Sequence, residues 1–287
     1  MVLIFSNNNE YTTDEAINWL FYDTISFVRM NENDFIQHVS MELATNKCNI
    51  VLKKQKQDNL RLVNLEDIQT YWYRRGGYNL VSYTSNVSEI GVGIDNYLKK
   101  ETSSMLKTIH FVLSKTKQGI GNIIHNEINK VNTLFWAKFF NLDVPTTLLT
   151  NNPEDANLFL KQQIAVITKA ITEAFAPINT TMAIGGNTAT FSESVTVLNP
   201  ALFQEKLDKA YELRIFYLNG QFYASAIFSQ LDEQTSTDFR NYNYKIPNRT
   251  PPYKLPAVVK EKLHQLMQKL DMNSGSIDMV VTKDKRY

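Results

Sequence analysis

Cysteine, unbalanced charge and long apolar runs are all scarce in this sequence of 287 residues. A single cysteine, Cys48, excludes an internal disulfide framework and suits a reducing cytoplasm. Thirty basic residues face 29 acidic ones, so the net charge favours neither nucleic acid nor an acidic membrane as a partner. No apolar stretch is long enough to span a membrane, and the N-terminal apolar run ends at Ser6, too early for a signal peptide. We therefore expect a cytoplasmic protein that binds neither nucleic acid nor membrane.

The motifs of several common enzyme classes are also missing. His38, His110, His125 and His264 are scattered, and no HxxxH or CxxC spacing occurs, which makes a zinc site improbable. A hydrolase triad has no support without a Gly-x-Ser-x-Gly turn. The sequence also lacks the Gly-x-x-x-x-Gly-Lys-Ser/Thr loop that P-loop nucleotide chemistry requires.

The remaining pattern indicates an α/β or α+β protein. Residues 2–5 read as a buried strand, Thr12 or Thr13 is expected to cap a helix that ends near Tyr22, and residues 25–29 form the next strand. This is a β-α-β opening. Further along, residues 94–140 have apolar residues at helical spacing.

We divide the chain into three predicted domains. These are an N-terminal α/β domain (1–95), a central domain (96–185) and a C-terminal domain (186–287).

The C-terminal domain is predicted to contain a β-hairpin. Residues 211–218 form an apolar strand that opens with a carboxylate and an arginine, Asn219-Gly220 makes the turn, and residues 221–227 return as the second strand. Glu212 and Arg214 alternate along the first strand and so point to one face. They form either a salt bridge with each other or part of a binding site, and the pattern leaves both open.

Three other charged residues stand out. Lys169 ends a buried-looking strand, where its long side chain can present an ammonium to phosphates; a solvated strand edge is the alternative. Lys130 precedes a helix, and its local pattern favours an ordinary surface lysine. Asp278 lies at the start of an apolar strand, and because a buried acid must be paired or bound to metal, we favour a metal.

Read together, these segments resemble the graspetide synthetases, which are microviridin-type ATP-grasp macrocyclases, and in particular the grasp-with-spasm maturase branch. The resemblance spans nearly the whole chain, and its blocks occur in the family's order. The blocks that carry it are Trp72-Tyr73-Arg74-Arg75, Asn129-Lys130 to Lys138, Leu142 to Asn151, Phe203-Gln204-Glu205-Lys206, Glu212-Leu213-Arg214, Ser229-Gln230, Asp238-Phe239-Arg240 and Ser276-Ile277-Asp278.

The resemblance implies an ATP-grasp fold, with a pre-grasp-like N-terminal domain and a nucleotide-binding C-terminal domain, and it assigns roles to individual residues. Lys130 and Lys169 become phosphate lysines, and Arg214 and Arg240 contact the phosphates. Glu212 binds the ribose. The backbone of Glu205 and Leu207 meets the adenine edge, with Lys206 between them among the nucleotide-binding residues, and Asp278 holds magnesium.

The same resemblance implies an activity that uses ATP and Mg²⁺. An Asp or Glu side chain of a ribosomal precursor peptide would be phosphorylated and then attacked by a Ser or Thr hydroxyl, or by a Lys amine, to close an ω-ester or ω-amide ring; esters are favoured. The leader of the precursor would dock on the central domain, and a homodimer is expected. The family continues past the Asp278 strand into a strand whose Glu and Asn complete the metal site, so we expect a longer native product and a metal-poor chain here.

Two alternatives remain beside the macrocyclase. One is an ATP-grasp ligase that joins a free amino acid to a carboxylate. The other is a non-catalytic scaffold that binds the peptide without consuming ATP.

Overall fold

The structure is a computed structural model that describes residues 1–45, 47–53, 60–76, 79–80, 91–123, 128–172, 175–177, 183–185 and 188–287. By its contacts the chain divides into two compact units, Met1–Asn126 and Glu127–Tyr287. The division into three domains drawn from the sequence stays a prediction. Within the described ranges, each helix is too short or too polar to cross a membrane.

The first unit contains two sheets. Its parallel sheet has the strand order β2-β1-β6-β8, and its second sheet has the order β5-β4-β3-β7. The elements are β1 (Val2–Ser6), α1 (Tyr11–Tyr22), β2 (Phe27–Asn31), β3 (Phe35–Glu42), β4 (Lys47–Lys53), β5 (Leu60–Asn64), β6 (Thr70–Tyr73), β7 (Asn79–Leu80), α2 (Gly91–Thr116) and β8 (Gln118–Ile120).

The β-α-β opening predicted from the sequence is confirmed, but its predicted helix cap is wrong. Glu10 caps α1, because its side chain accepts a hydrogen bond from the Thr13 backbone N–H at 2.9 Å. Thr13 itself is fully buried, and its hydroxyl pairs with that of Ser6 at 2.7 Å. Glu10 also accepts a hydrogen bond from Arg74, at 3.2 Å, and so ties the start of α1 to the end of β6.

The core of the first unit is formed by β1, the strands beside it and one face of α2. Leu3 and Leu113 are fully buried in it. His110 lies among these residues, with its ring centroid 4.9 Å from that of Phe5 and 5.8 Å from that of Tyr73. Burial lowers the pKa of His110 to about 3, so the ring is neutral at physiological pH.

The second unit contains two four-stranded antiparallel sheets, with strand orders β13-β10-β14-β9 and β17-β16-β15-β18, and the β11-β12 pair. Its elements are α3 (Lys130–Phe139), β9 (Thr147–Thr150), α4 (Pro153–Gln162), β10 (Val166–Lys169), β11 (Phe175–Pro177), β12 (Ala183–Gly185), β13 (Ala189–Phe191), β14 (Ala201–Glu205), β15 (Lys209–Leu218), β16 (Gln221–Ile227), α5 (Glu233–Ser236), β17 (Pro252–Tyr253), α6 (Ala257–Lys269) and β18 (Ser274–Thr282).

The hairpin predicted at Asn219-Gly220 is confirmed. Both turn residues have positive φ, 45° and 86°, as a tight two-residue hairpin turn requires. One face of β15 places Leu213 and Ile215, both fully buried, against the Leu263 side of α6. The other face of β15 is left for polar residues, and this face borders the candidate site.

Candidate active site

A cavity of about 440 Å³ lies in the second unit, within the size range of small-molecule sites. Residues of α3, of β10, of the segment after β14 and of β15 and β18 line it. Eight of the nine residues given a nucleotide, catalytic or metal role from the sequence are among its lining: Lys130, Lys169, Glu205, Lys206, Leu207, Glu212, Arg240 and Asp278. The ninth, Arg214, is bonded to Asp278.

Lys169 is the last residue of β10, where the predicted strand indeed ends. Burial, followed by the positive charges of Lys130 and Arg240, lowers the pKa of its ammonium to about 8, while Asp238 and Asp278 act in the opposite direction. Within the described part of the chain, we find no hydrogen-bond acceptor for this ammonium. Lys169 is therefore a cation that a bound anion would stabilise.

Lys130 is the first residue of α3, which Asn129 caps by accepting hydrogen bonds from two backbone N–H groups. The Lys130 ammonium donates to the backbone carbonyls of Ala170 and Thr172, both at 2.9 Å. Lys130 thus holds the segment that directly follows Lys169 and brings a second positive charge to that end of the cavity.

Arg240 and Asp238 form a two-pronged ion pair. Arg240 Nε and Nη2 donate to the two Asp238 oxygens at 2.9 and 2.6 Å, and the Thr188 N–H donates to the same carboxylate at 3.2 Å. Burial would raise the pKa of Asp238, but the hydrogen bonds from Arg240 and Thr188 outweigh it and hold the pKa at about 2. Asp238 remains ionised, and it fixes the guanidinium at the cavity wall.

Arg214 and Asp278 face each other across β15 and β18, with Arg214 Nη1 2.6 Å from Asp278 Oδ1. Both side chains are about half exposed, at 49% and 44%. Two sequence expectations are therefore wrong: Asp278 is not on a buried strand face, and Arg214 does not pair with Glu212. The acid-arginine pair instead joins two strands whose members are far apart in the sequence.

Glu212 is buried and bonded to residues that the sequence analysis did not single out. It accepts hydrogen bonds from the Lys209 ammonium at 2.7 Å and from the Ser229 hydroxyl at 2.8 Å. In a regular strand, residues three apart point to opposite faces, so sequence spacing alone does not reveal the Lys209–Glu212 pair. A β-bulge between Lys209 and Tyr211 changes the register and turns Lys209 to the Glu212 side.

The segment after β14 presents its backbone to the cavity. The N–H groups of Glu205 and Lys206 donate to the Thr146 and Ala165 carbonyls, at 3.0 and 2.8 Å. For the N–H of Leu207, the described part of the chain offers no acceptor. A backbone donor of this kind, beside an apolar wall, matches the edge of a purine base.

Metal-ligating side chains are sparse here. Among the described residues, no three His, Cys, Asp or Glu side chains are grouped as they would be in a protein-built metal centre; His125 lies outside the described residues. Asp278 offers one carboxylate at the cavity. Because Mg²⁺ is commonly held by one or two carboxylates together with substrate phosphates and water, the residues fit a magnesium ion that is bound along with a nucleotide.

The class of protein follows from the sheets and the cavity: the chain has the ATP-grasp fold, as the sequence resemblance implied. Neither a protein-family model nor a curated protein sequence matches it. The match is to solved structures, and it covers the whole chain.

Two of these structures are peptide-modifying enzymes. The chain is 22% identical, with a TM-score of 0.78, to a RiPP-associated ATP-grasp ligase of Chryseobacterium gregarium in complex with ADP and a leader and core peptide, and the match covers 100% of this chain and 86% of that one. It is 24% identical, with a TM-score of 0.77, to the macrocyclase MdnC of Microcystis aeruginosa bound with the precursor peptide MdnA, covering 100% and 89%.

A more distant likeness is to the VanG D-Ala:D-Ser ligase of Enterococcus faecalis. That match has 9% identity and a TM-score of 0.51, and it covers 99% of this chain and 87% of the ligase.

Proposed function

We propose that this protein is an ATP-dependent macrocyclase of a ribosomal precursor peptide. The observation that carries the proposal is the meeting of Lys130, Lys169 and Arg240 around one cavity that also holds Asp278, in a chain with the fold of peptide-modifying ATP-grasp ligases. Transfer of a phosphoryl group depends on neutralising the charge of the triphosphate, and this cluster supplies that charge.

In the proposed reaction, ATP lies between the two sheets of the second unit. The Leu207 N–H contacts the adenine edge, while Lys169 and Arg240 contact the phosphates. A peptide Asp or Glu oxygen attacks the γ-phosphorus, and ADP leaves. A Ser or Thr hydroxyl, or a Lys amine, then attacks the acyl carbon of the resulting acyl phosphate, loses its proton and expels phosphate. The ring bond forms with the net loss of one water from the peptide.

Magnesium belongs to the same proposal. Asp278 would hold the ion together with phosphate oxygens, and the ion would supply further charge neutralisation at the reacting phosphoryl group. Arg214 now pairs with Asp278 and would exchange this partner for the peptide carboxylate or the acyl phosphate, which a guanidinium binds with two parallel hydrogen bonds. A homodimer and a cytoplasmic location complete the proposal, and both rest on the family resemblance.

The test combines the protein with the precursor peptide encoded beside its gene, ATP and Mg²⁺, and measures the intact peptide mass. We expect the loss of whole water masses only when ATP is present. Treatment with base then separates esters, which open, from amides, which do not. The Lys169→Ala and Asp278→Ala variants should form no ring, whereas Lys283→Ala, which changes only an exposed ion pair with Asp208, should behave as the wild type.

The other possible results identify the alternatives. An added amino-acid mass would support a ligase for free amino acids, the type of reaction that the name of VanG indicates. Tight peptide binding with no mass change and no ADP would support a non-catalytic scaffold.

A further inference from the structure

The polar face of the β15-β16-β18 sheet continues outward from the cavity as a series of cross-strand rows. Glu212 lies in the row at the cavity wall, and Arg214 and Asp278 form the next row. The row after that contains Phe216 of β15 and Tyr223 of β16, which face each other in the hairpin register. The surface therefore leads from the candidate phosphoryl site, over an ion pair, to two aromatic rings.

These two rings lie outside the hydrophobic core. Phe216 is 45% exposed and Tyr223 is 60% exposed, whereas their strand neighbours Ile215 and Tyr217 are 0% and 3% exposed and point to the core side. The ring centroids of Phe216 and Tyr223 are 6.4 Å apart, with an interplanar angle of 34°. An exposed apolar pair that borders a catalytic cavity is typical of a binding surface.

The spacing of the rows matches that of an extended peptide. Successive rows on one sheet face are two residues apart, or about 7 Å. Side chains at positions i and i+2 of an extended peptide are separated by the same distance on one side. A peptide that places its Asp or Glu over Arg214 would thus place the side chain two residues away over Phe216 and Tyr223.

We propose that Phe216 and Tyr223 bind an apolar side chain of the precursor peptide, located two residues from the Asp or Glu that is phosphorylated. This inference rests on the proposed function and adds to it a determinant of which acidic residue reacts. The occupant is a peptide because the aromatic row continues directly from the ion pair over which the reacting carboxylate is expected to lie. The two rings offer contact area but no charge, and therefore favour an apolar side chain over a polar one.

The second unit offers a matched control in α3. Phe135 and Phe139 are 64% and 65% exposed and lie one helical turn apart, and neither lines the cavity. Replacing them removes a similar exposed aromatic area from the same unit. A general effect of exposed aromatics on stability or solubility would appear in both sets of variants.

The experiment measures kcat and KM for ring formation in the wild type, in Phe216→Ala/Tyr223→Ala and in Phe135→Ala/Phe139→Ala. For the first pair we expect the KM for the precursor to rise about tenfold, as on removal of an aromatic anchor, with the affinity for ADP unchanged. The α3 pair should leave KM near the wild-type value. A precursor with Ser in place of the apolar residue should raise KM for the wild type and have little further effect on the Phe216/Tyr223 variant.

The outcomes separate this inference from the proposed function. Ring formation by the wild type, with an unchanged KM in Phe216→Ala/Tyr223→Ala, overturns the inference alone. An equal rise in KM in both pairs also overturns it. If the wild type forms no ring, the proposed function fails and this inference fails with it. ADP affinity and the thermal midpoint of each variant show whether the fold of the second unit is intact.

Discussion

Lys169 is the residue whose charge depends most on what occupies the cavity. In the free protein, burial and the nearby cations Lys130 and Arg240 lower its pKa from 10.5 to about 8. A bound phosphate favours the protonated ammonium and raises this pKa again. Binding of an anionic nucleotide is therefore coupled to the uptake of a proton whenever the pH is above about 8.

This coupling predicts how the affinity for ADP depends on pH. Above about pH 8 the free protein must take up a proton to bind, so the Kd should rise with pH, approaching tenfold per pH unit. Calorimetric titrations with ADP between pH 7 and 9.5 measure this slope. Lys169→Arg should flatten it, because a guanidinium stays protonated over the whole range. An equal slope in wild type and variant would assign the proton to another group.

The same shift affects the stability of the free protein with the opposite sign. The unfolded chain binds the Lys169 proton up to a pKa of 10.5 and the folded chain only up to about 8. Between these values the unfolded state holds more protons, so a rise in pH stabilises the fold while it weakens nucleotide binding.

At the residue scale, the sequence predicted the chemistry of the site better than its pairings. The position of Lys169 at a strand end could be predicted, because a run of apolar residues stops there. The partner of Glu212 could not, because the bulge that turns Lys209 to the same face has no signature in the local sequence. The ion pair of Arg214 with Asp278 depends on the pairing of strands 64 residues apart, and strand alternation within either segment does not determine that pairing.

At the scale of elements, a buried ion pair fixes β15 to the segment that carries the candidate phosphate arginine. Lys209 and Glu212 side chains are only 9% and 11% exposed, and the Lys209 ammonium also donates to the Thr237 carbonyl at 3.0 Å. Ser229 adds a third bond, to the other Glu212 oxygen. The network therefore positions the 229–240 segment, and through Asp238 it positions Arg240.

Removing one member of this buried pair should destabilise the second unit strongly. Lys209→Ala leaves the Glu212 carboxylate buried without its counter-charge, and we expect a loss of about 3–5 kcal/mol in the free energy of unfolding. Urea unfolding followed by fluorescence measures it. Lys283→Ala is the control: its ion pair with Asp208 at 2.9 Å is exposed on both sides and should contribute little. Equal effects of the two substitutions would refute the role of burial.

The hairpin itself was the element most open to prediction. The Asn219-Gly220 turn determines its type, and the alternation of residues in β15 determines which side chains share a face. The helical pattern of residues 94–140 predicted α2 and α3 but not the short strand β8 between them. Strand β8 forms because it pairs with β6 in the parallel sheet, a long-range contact that local periodicity does not contain.

At the scale of the whole molecule, each unit has a hydrophobic core of its own. The core around Leu3 and Leu113 belongs entirely to the first unit, and those around Leu213 and Phe203 belong to the second. Every residue that lines the candidate site also belongs to the second unit.

A fragment of residues 127–287 should therefore fold and bind ADP without the first unit. Circular dichroism and a cooperative thermal transition test its folding, and calorimetry tests ADP binding. The fragment of residues 1–126 is the matched comparison and should show no binding. A folded 127–287 fragment that fails to bind ADP would show that the site needs residues of the first unit.

The position of Cys48 has a practical consequence. Cys48 is the only cysteine of the chain, it is 2% exposed in the core of the first unit, and burial raises the pKa of its thiol. Both effects keep the reactive thiolate scarce and out of reach of reagents. A cysteine introduced at any exposed position would then be the one thiol that a maleimide modifies in the folded protein. A single fluorophore can thus be attached to either unit without first removing a native cysteine.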